Sequence, residues 1–274
     1  MTASQDLANT PSSRPRLRAQ DLEHRFGDNV LFRDLSIEFV PGTIYAIIGR
    51  NGSGKSTLLR RLAAIEAPQR GTVHLDGFDL AKLSARKRAR SIAFLPQQTP
   101  LYHDLTVREL VQLGRLPHLG PFAVPAAADL DTIDLALEQV GLGSFANRRI
   151  STLSGGEQKR TMLARMLATA APVFILDEPC AALDVAHAID FLQLCRQLAK
   201  SGATIILALH ELQLVRSFAD RVLCLGVNDG GVCSGPTTTV LDPKLLRDGF
   251  GVEVDMHGGM AFSSPTTLLD PNFR

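Results

Sequence analysis

The feature that most constrains this chain is a nine-residue run, Gly49-Arg50-Asn51-Gly52-Ser53-Gly54-Lys55-Ser56-Thr57, placed directly after the apolar stretch Ile44-Tyr45-Ala46-Ile47-Ile48. An unbroken apolar run of that length reads as a strand buried on both faces. The glycines then let the backbone curl so that successive N–H groups point inward at an anion. A helix expected from Ser56 to Ala67, stopped by Pro68, adds its positive end. That end alone is worth only about 0.3–1 kcal/mol for an exposed anion, too little to hold a triphosphate in water. Lys55 for the β- and γ-phosphates and the Ser56 hydroxyl for Mg²⁺ supply the rest.

A phosphate loop of this kind needs a metal-holding acid at the end of a neighbouring strand. Val173-Phe174-Ile175-Leu176 is a second buried run, and it ends in Asp177-Glu178. Asp177 at the strand edge reaches the Mg²⁺ shell. Glu178, one residue on, points elsewhere and is placed to take a proton from an attacking water. Leu153-Ser154-Gly155-Gly156-Glu157-Gln158 joins two glycines to a capping-box pattern, which makes a second helix start able to face an anion.

Between these runs, strands alternate with helices, the pattern of an α/β domain with a mainly parallel sheet. Strands are expected at 72–75, 92–95, 204–209 and 221–225, with several short ones between 17 and 48. Helices are expected at 106–116 (behind the capping box Thr106-Val107-Arg108-Glu109), 130–140, 154–171, 186–200 and 212–218. The all-helical block from about 98 to 165 reads as an insertion between two strands of the sheet. The first 15 residues are polar, rich in Ser, Thr and Pro, and expected to be a disordered tail without the apolar core of a secretory signal. No apolar run approaches the ~20 residues that span a bilayer. Net charge is +1, so Arg86-Lys87-Arg88-Ala89-Arg90 is read as a basic solvated helix face and not as a nucleic-acid site. Four cysteines without CxxC spacing read as reduced thiols.

In these motifs the chain resembles the ATP-binding-cassette (ABC) ATPases over about residues 17 to 250. LSGGEQ is similar to the family's signature loop, GRNGSGKST to Walker A and FILDE to Walker B. Ala182-Leu183-Asp184 is similar to the D-loop, His210 to the switch histidine, and Gln97, ahead of Gln98, to the Q-loop glutamine. Phe26 stands where the family places an adenine-stacking aromatic, usually tyrosine. Cys180 departs from the threonine usual after DEP and puts a thiol near the catalytic carboxylates.

The resemblance implies a P-loop NTPase cassette over 16–254. It has a mainly parallel core sheet, an N-terminal antiparallel β subdomain, the helical insertion, and a C-terminal extension over 255–274. It implies ATP and Mg²⁺ as ligands, with Glu178, His210 and Gln97 as catalytic residues. Phe26, the loop from Gly49 to Thr57, Ser154, Gly155, Gly156 and Gln158 would bind nucleotide, and Ser56, Gln97 and Asp177 would hold the metal. It further implies a head-to-tail dimer in which ATP is clasped between Walker A of one copy and the signature of the other. With no membrane segment in the chain, the pore would be a separate integral membrane permease, served by a periplasmic or surface substrate-binding protein. The chain would then sit on the cytoplasmic face of the inner membrane. Thr106 to His118 and Val240 to Val252 are similar to stretches of the iron-siderophore, haem and vitamin B12 importers. The expected cargo is therefore a ferric chelate, with haem or cobalamin next and zinc or manganese after that. A soluble ABC-type ATPase acting on nucleic acid is the distant alternative.

Overall fold

The computed structural model describes residues 15–97, 104–120, 123–181, 183–227, 230–242, 253–255 and 261–263. Its strands are β1 (Leu17–Phe26), β2 (Asn29–Phe39), β3 (Ile44–Gly49), β4 (Arg70–Leu75), β5 (Phe78–Asp79), β6 (Ile92–Leu95), β7 (Val173–Leu176), β8 (Thr204–Ala208), β9 (Arg221–Val227), β10 (Gly231–Pro236), β11 (Glu253–Asp255) and β12 (Ala261–Ser263). Its helices are α1 (Lys55–Leu62), α2 (Ala85–Ser91), α3 (Val107–Gln112), α4 (Ala127–Gln139), α5 (Gly155–Leu167), α6 (Val185–Lys200), α7 (Leu212–Phe218) and α8 (Thr237–Val240).

Two sheets organise the chain. One has the order β2-β1-β4-β5 and is antiparallel. The other runs β10-β9-β3-β8-β7-β6, parallel throughout except for the edge strand β10. The alternation of side chains along β3 divides the interior. Tyr45 and Ile47 point into a core shared with α1 and the antiparallel sheet, through Leu58, Leu62, Leu22 and Phe39. Ile44, Ala46 and Ile48 point the other way, into a core shared with α5, α6 and the inserted helices. Both faces of the parallel sheet are thus covered, which is why its strands read as apolar runs.

Between β6 and β7 lie α3, α4 and α5. The capping boxes at Thr106 and Ser154 form as expected, each hydroxyl accepting from the backbone N–H of the Glu three residues on. A Cβ on Gly114 would stand 2.3 Å from the Arg165 carbonyl, so the end of α3 lies against the backbone of α5. Arg115 joins three elements there: Nε donates to Asp129 of α4 at 2.9 Å and a terminal nitrogen donates to the Ala168 carbonyl at 2.9 Å.

Three sequence expectations are corrected. Helix α1 stops at Leu62, not Ala67: Ala64 turns to φ +51°, and the N–H groups of Ala64 and Ile65 bond the carbonyls of Arg61 and Arg60, each at 3.0 Å. That is the paired hydrogen bonding of a left-handed helix cap, formed well before the proline. The short strands expected between 17 and 48 are longer, β1 and β2 having 10 and 11 residues; register shifts along β1 interrupt the alternation that a sequence pattern relies on. The arginines of α2 are not simply solvated. Arg86 and Arg90 donate to the Pro117 carbonyl at 2.9 and 2.7 Å, and Arg88 to that of Leu83 at 2.7 Å. All of the expected tail but its last residue, and most of the expected C-terminal extension, lie outside the described residues, as do Gln98 and Ala182.

Candidate functional site

Four adjacent parallel strands, β3, β8, β7 and β6, deliver the site from their C-terminal ends. This is where open α/β sheets place ligands. β3 runs into the loop 49–54 and α1, β7 into Asp177-Glu178, β8 toward His210, and β6 toward Gln97. Together they border a cleft of about 590 Å³. Its floor is Asn51, Gly52, Gly54, Lys55, Ser56 and Thr57; Gln97, Glu178, His210 and Leu31 stand around it.

The loop is held tightly. A Cβ on Gly49 would lie 2.4 Å from Ser53 Oγ and 2.8 Å from the Leu225 carbonyl, so no larger residue fits between the loop and β9. Gly54, at φ +93°, turns the chain into α1 in a conformation that costs a residue with a Cβ. Lys55 is 6% exposed, and its Nζ donates to the carbonyls of Gly49 and Arg50 at 2.9 and 3.2 Å. Burial pushes its ammonium below the usual range, against the pull of Glu178 and Asp177. Ser53 Oγ is buried without a hydrogen-bond partner among the described residues.

Asp177 is 1% exposed. Ser56 Oγ donates to its Oδ1 at 3.0 Å, while Oδ2 is buried without a partner among the described residues. Burial pushes this carboxyl up; the Ser56 hydrogen bond opposes the shift and the charge of Glu178 adds to it. Glu178 adopts φ +50°. Left-handed backbone at a residue with a Cβ is strained by about 1–3 kcal/mol and persists where the surroundings impose it. Here Asp177 N–H is fixed to the Leu95 carbonyl at 2.8 Å and Glu178 C=O accepts from Ala181 N–H at 3.2 Å. Both carboxylate oxygens of Glu178 are engaged: Gln97 Nε2 donates to Oε2 at 2.7 Å, and His210 Nε2 meets Oε1.

The structure therefore brings together Lys55, Ser56, Gln97, Asp177, Glu178 and His210. None of Ser154, Gly155, Gly156, Gln158 or Phe26 lines the cleft. Ser154 caps α5, and Gln158 Nε2 donates to the carbonyls of Ile150 and Leu153 at 3.2 and 3.1 Å, which shapes the loop before the helix. Phe26 is 80% exposed. It pairs with Asn29 across the β1–β2 hairpin, and Leu31 lies two residues further along β2, at the register shift between Val30 and Phe32. Sequence reasoning passed over Leu31, whose only signal is its place in that register. Burial pushes the Lys159 ammonium, directly after LSGGEQ, below its usual range, against the pull of Cys180, Asp177 and Glu178. The Cys180 thiol is pushed up to about 12, by burial first and then by Glu211, which keeps it protonated and poorly nucleophilic near neutral pH.

Residues 32–181 match the family model described as ABC transporter. The chain is 36% identical over 254 residues to the iron(3+)-hydroxamate import ATP-binding protein FhuC of Bacillus subtilis, covering 92% of this chain and 94% of that one. It is 38% identical over 248 residues to the hemin import ATP-binding protein HmuV of Deinococcus radiodurans, covering 89% and 93%. Against the cobalamin import ATP-binding protein BtuD of Halobacterium salinarum it is 39% identical over 223 residues; there it covers 81% of itself but spans only about half, 55%, of the relative. Among solved structures, a metal-chelate type ABC transporter in an inward-facing conformation superposes with a TM-score of 0.76 at 29% identity, covering 88% of this chain and 90% of the other. The cassette MJ0796, solved as a dimer bound to ADP and Pi in a post-hydrolysis state, superposes with a TM-score of 0.70 at 27% identity, covering 81% and 98%.

Proposed function

The chain belongs to the ABC transporter family, and from that premise we propose that it is the ATP-hydrolysing subunit of an importer, paired with a second copy of itself and driving a separate membrane permease at the cytoplasmic face of the cell membrane. The observation that carries the reading is the grip on Glu178. Glu178, the one carboxylate among the described residues that line the cleft, is held by Gln97 and His210 at the mouth of the phosphate loop.

In this reading the loop N–H groups and the end of α1 take the phosphates of ATP. Lys55 exchanges the two backbone carbonyls it now holds for β- and γ-phosphate oxygens. Glu178 turns one oxygen from Gln97 or His210 to the attacking water and accepts its proton. The base is thus out of use until nucleotide draws those two side chains away.

The residues present fit a magnesium ion: a desolvated carboxylate with one unpartnered oxygen calls for a cation, and the Ser56 hydroxyl lies beside it. Ser56 Oγ, Asp177 and the Gln97 side-chain carbonyl would hold it. Bound there, the ion would neutralise charge on the β- and γ-phosphates.

Ser154, Gly155, Gly156 and Gln158 would close the site from the partner copy. Supporting this, nothing lies within 4 Å of where a Cβ would stand on Gly155 or Gly156, so another molecule's phosphate can approach the positive end of α5. The related cassette MJ0796 is a dimer when bound to ADP and Pi. We assign the permease contact to a groove of about 560 Å³ that reaches Pro96, the residue before Gln97, between α2, the end of α1 and the inserted helices, with Ile65, Phe94, Met162 and Met166 in its walls.

For cargo we propose a ferric chelate, with haem and cobalamin as the second reading. Two of the relatives are named for iron hydroxamate and hemin and align along almost their whole length. The nucleic-acid reading is disfavoured because the α2 arginines are committed to backbone carbonyls.

Glu178→Gln tests the core of the proposal. It should bind ATP yet hydrolyse it about 10²–10⁴-fold more slowly. Wild-type turnover in that variant would falsify the assignment of the base. Uptake of labelled ferric hydroxamate, haem and cobalamin by cells lacking the chain tests the cargo; loss of cobalamin uptake alone would transfer the assignment to cobalamin.

A further inference from the structure

We infer that Gln69 is a positioning residue for the nucleotide base, because its side chain supplies the strand rung that a proline withholds and so fixes the end of β1 that presents Phe26. The inference rests on reading Phe26 as the base platform. β1 pairs with β4 through Gln20↔Thr72 and, after a register shift, Glu23↔Arg70. Continued by two residues, that register sets Arg25 opposite Pro68, which has no N–H to donate. The ladder fails there, one residue before Phe26.

The Gln69 carboxamide takes the vacant rung. Its Oε1 accepts from Arg25 N–H at 2.7 Å, and its Nε2 donates to the Arg25 carbonyl at 3.0 Å. A primary amide offers the same donor and acceptor as a peptide unit, so β1 remains bonded on both sides up to Arg25. Glu23 adds a second restraint by accepting from Arg25 Nε at 2.7 Å and from Arg70 at 3.0 Å. Without the rung, the main chain of Arg25 and Phe26 would keep its pairing with Val30 and Asn29 alone, with the Arg25 side chain still tied to Glu23, and a two-stranded hairpin tip is marginal in water. Phe26 stands at the tip of the hairpin, and two residues along β2 from its partner Asn29 comes Leu31, which borders the phosphate cleft. A tip that swings therefore moves the aromatic ring relative to bound nucleotide while the phosphate loop stays in place.

The test compares two ligands by calorimetry: Mg·ATP, which carries a base, and Mg·tripolyphosphate, which does not. Phe26→Ala should weaken ATP about tenfold, the low end of what a stacked base is worth, and leave tripolyphosphate within about twofold. Gln69→Ala should weaken ATP by about three- to tenfold with the same sparing of tripolyphosphate, and the double variant should bind ATP no more weakly than Phe26→Ala alone. Gln69→Glu, which keeps the acceptor and loses the donor, should fall between wild type and alanine; it carries the comparison should the alanine variant not fold. Equal losses on both ligands would mark Gln69 as merely structural and overturn the inference, as would undiminished ATP binding in Gln69→Ala. If Phe26→Ala itself spares ATP, it is the platform reading that fails.

Discussion

At the scale of single residues, the site is governed by the burial of its charged groups. Lys55 and Asp177 lie close beneath one cleft, and burial works against the charged form of each. Lys55 is held by two main-chain carbonyls, weak substitutes for phosphate oxygens of full charge. Lys55→Ala removes the one side-chain cation on the floor of the cleft. It should abolish tight ATP binding with little change in thermal stability; calorimetry returning the wild-type affinity would remove this role. Asp177 and Glu178 are neighbours with opposite fates. Asp177 looks inward to Ser56, whereas the φ of +50° at Glu178 turns its carboxylate to Gln97 and His210. In the proposed mechanism, strain at this one backbone position separates the metal ligand from the base.

At the scale of elements, the inserted helices are joined by contacts tight enough to probe singly. Gly114→Ala would drive a Cβ into the Arg165 carbonyl and part α3 from α5. Overpacking of that kind costs about 1–3 kcal/mol, so chemical denaturation should show a lowered midpoint. Asp129 gives the same region a pH dependence. The Arg115 guanidinium, and after it the Ala126 N–H, hold its carboxyl below the usual range. A depressed folded value means that the contribution is present above the unfolded value of about 3.9 and is lost as pH falls through the folded one. The difference in melting temperature between wild type and Asp129→Asn should therefore be widest near neutrality and shrink below about pH 4. A difference that stays constant down to about pH 3 would show that the pair adds nothing to stability. The motif Thr106 to His118, read in the sequence for its likeness to one importer group, is the strut here: Arg115 ties three elements, and His118 Nε2 lies 2.8 Å from the Thr169 carbonyl.

At the scale of the whole molecule, the cleft is half a site in the proposed mechanism, since the signature helix start does not line it. Ser154→Arg should leave binding of ATP to one copy intact and block pairing, because a long cation would fill the space meant for the partner's phosphate. Sizing chromatography in a Glu178→Gln background with ATP checks this, and normal dimers would count against the clasp. The sequence by itself determined the elements whose signals are short-range. Residues 44–57 announce strand, loop and helix, and the boxes at Thr106 and Ser154 announce helix starts, since these depend on hydrogen bonds spanning three or four residues. Only the tertiary structure decided which strands are neighbours, and with that the meeting of Glu178 with Gln97, 81 residues away, and with His210, 32 away. It also decided that α1 ends at Leu62 and that the Gln69 side chain completes a rung beside Arg25. The reason is physical: a strand's order in a parallel sheet follows from burying both its faces and from crossovers through distant helices, and no local pattern of residues records either.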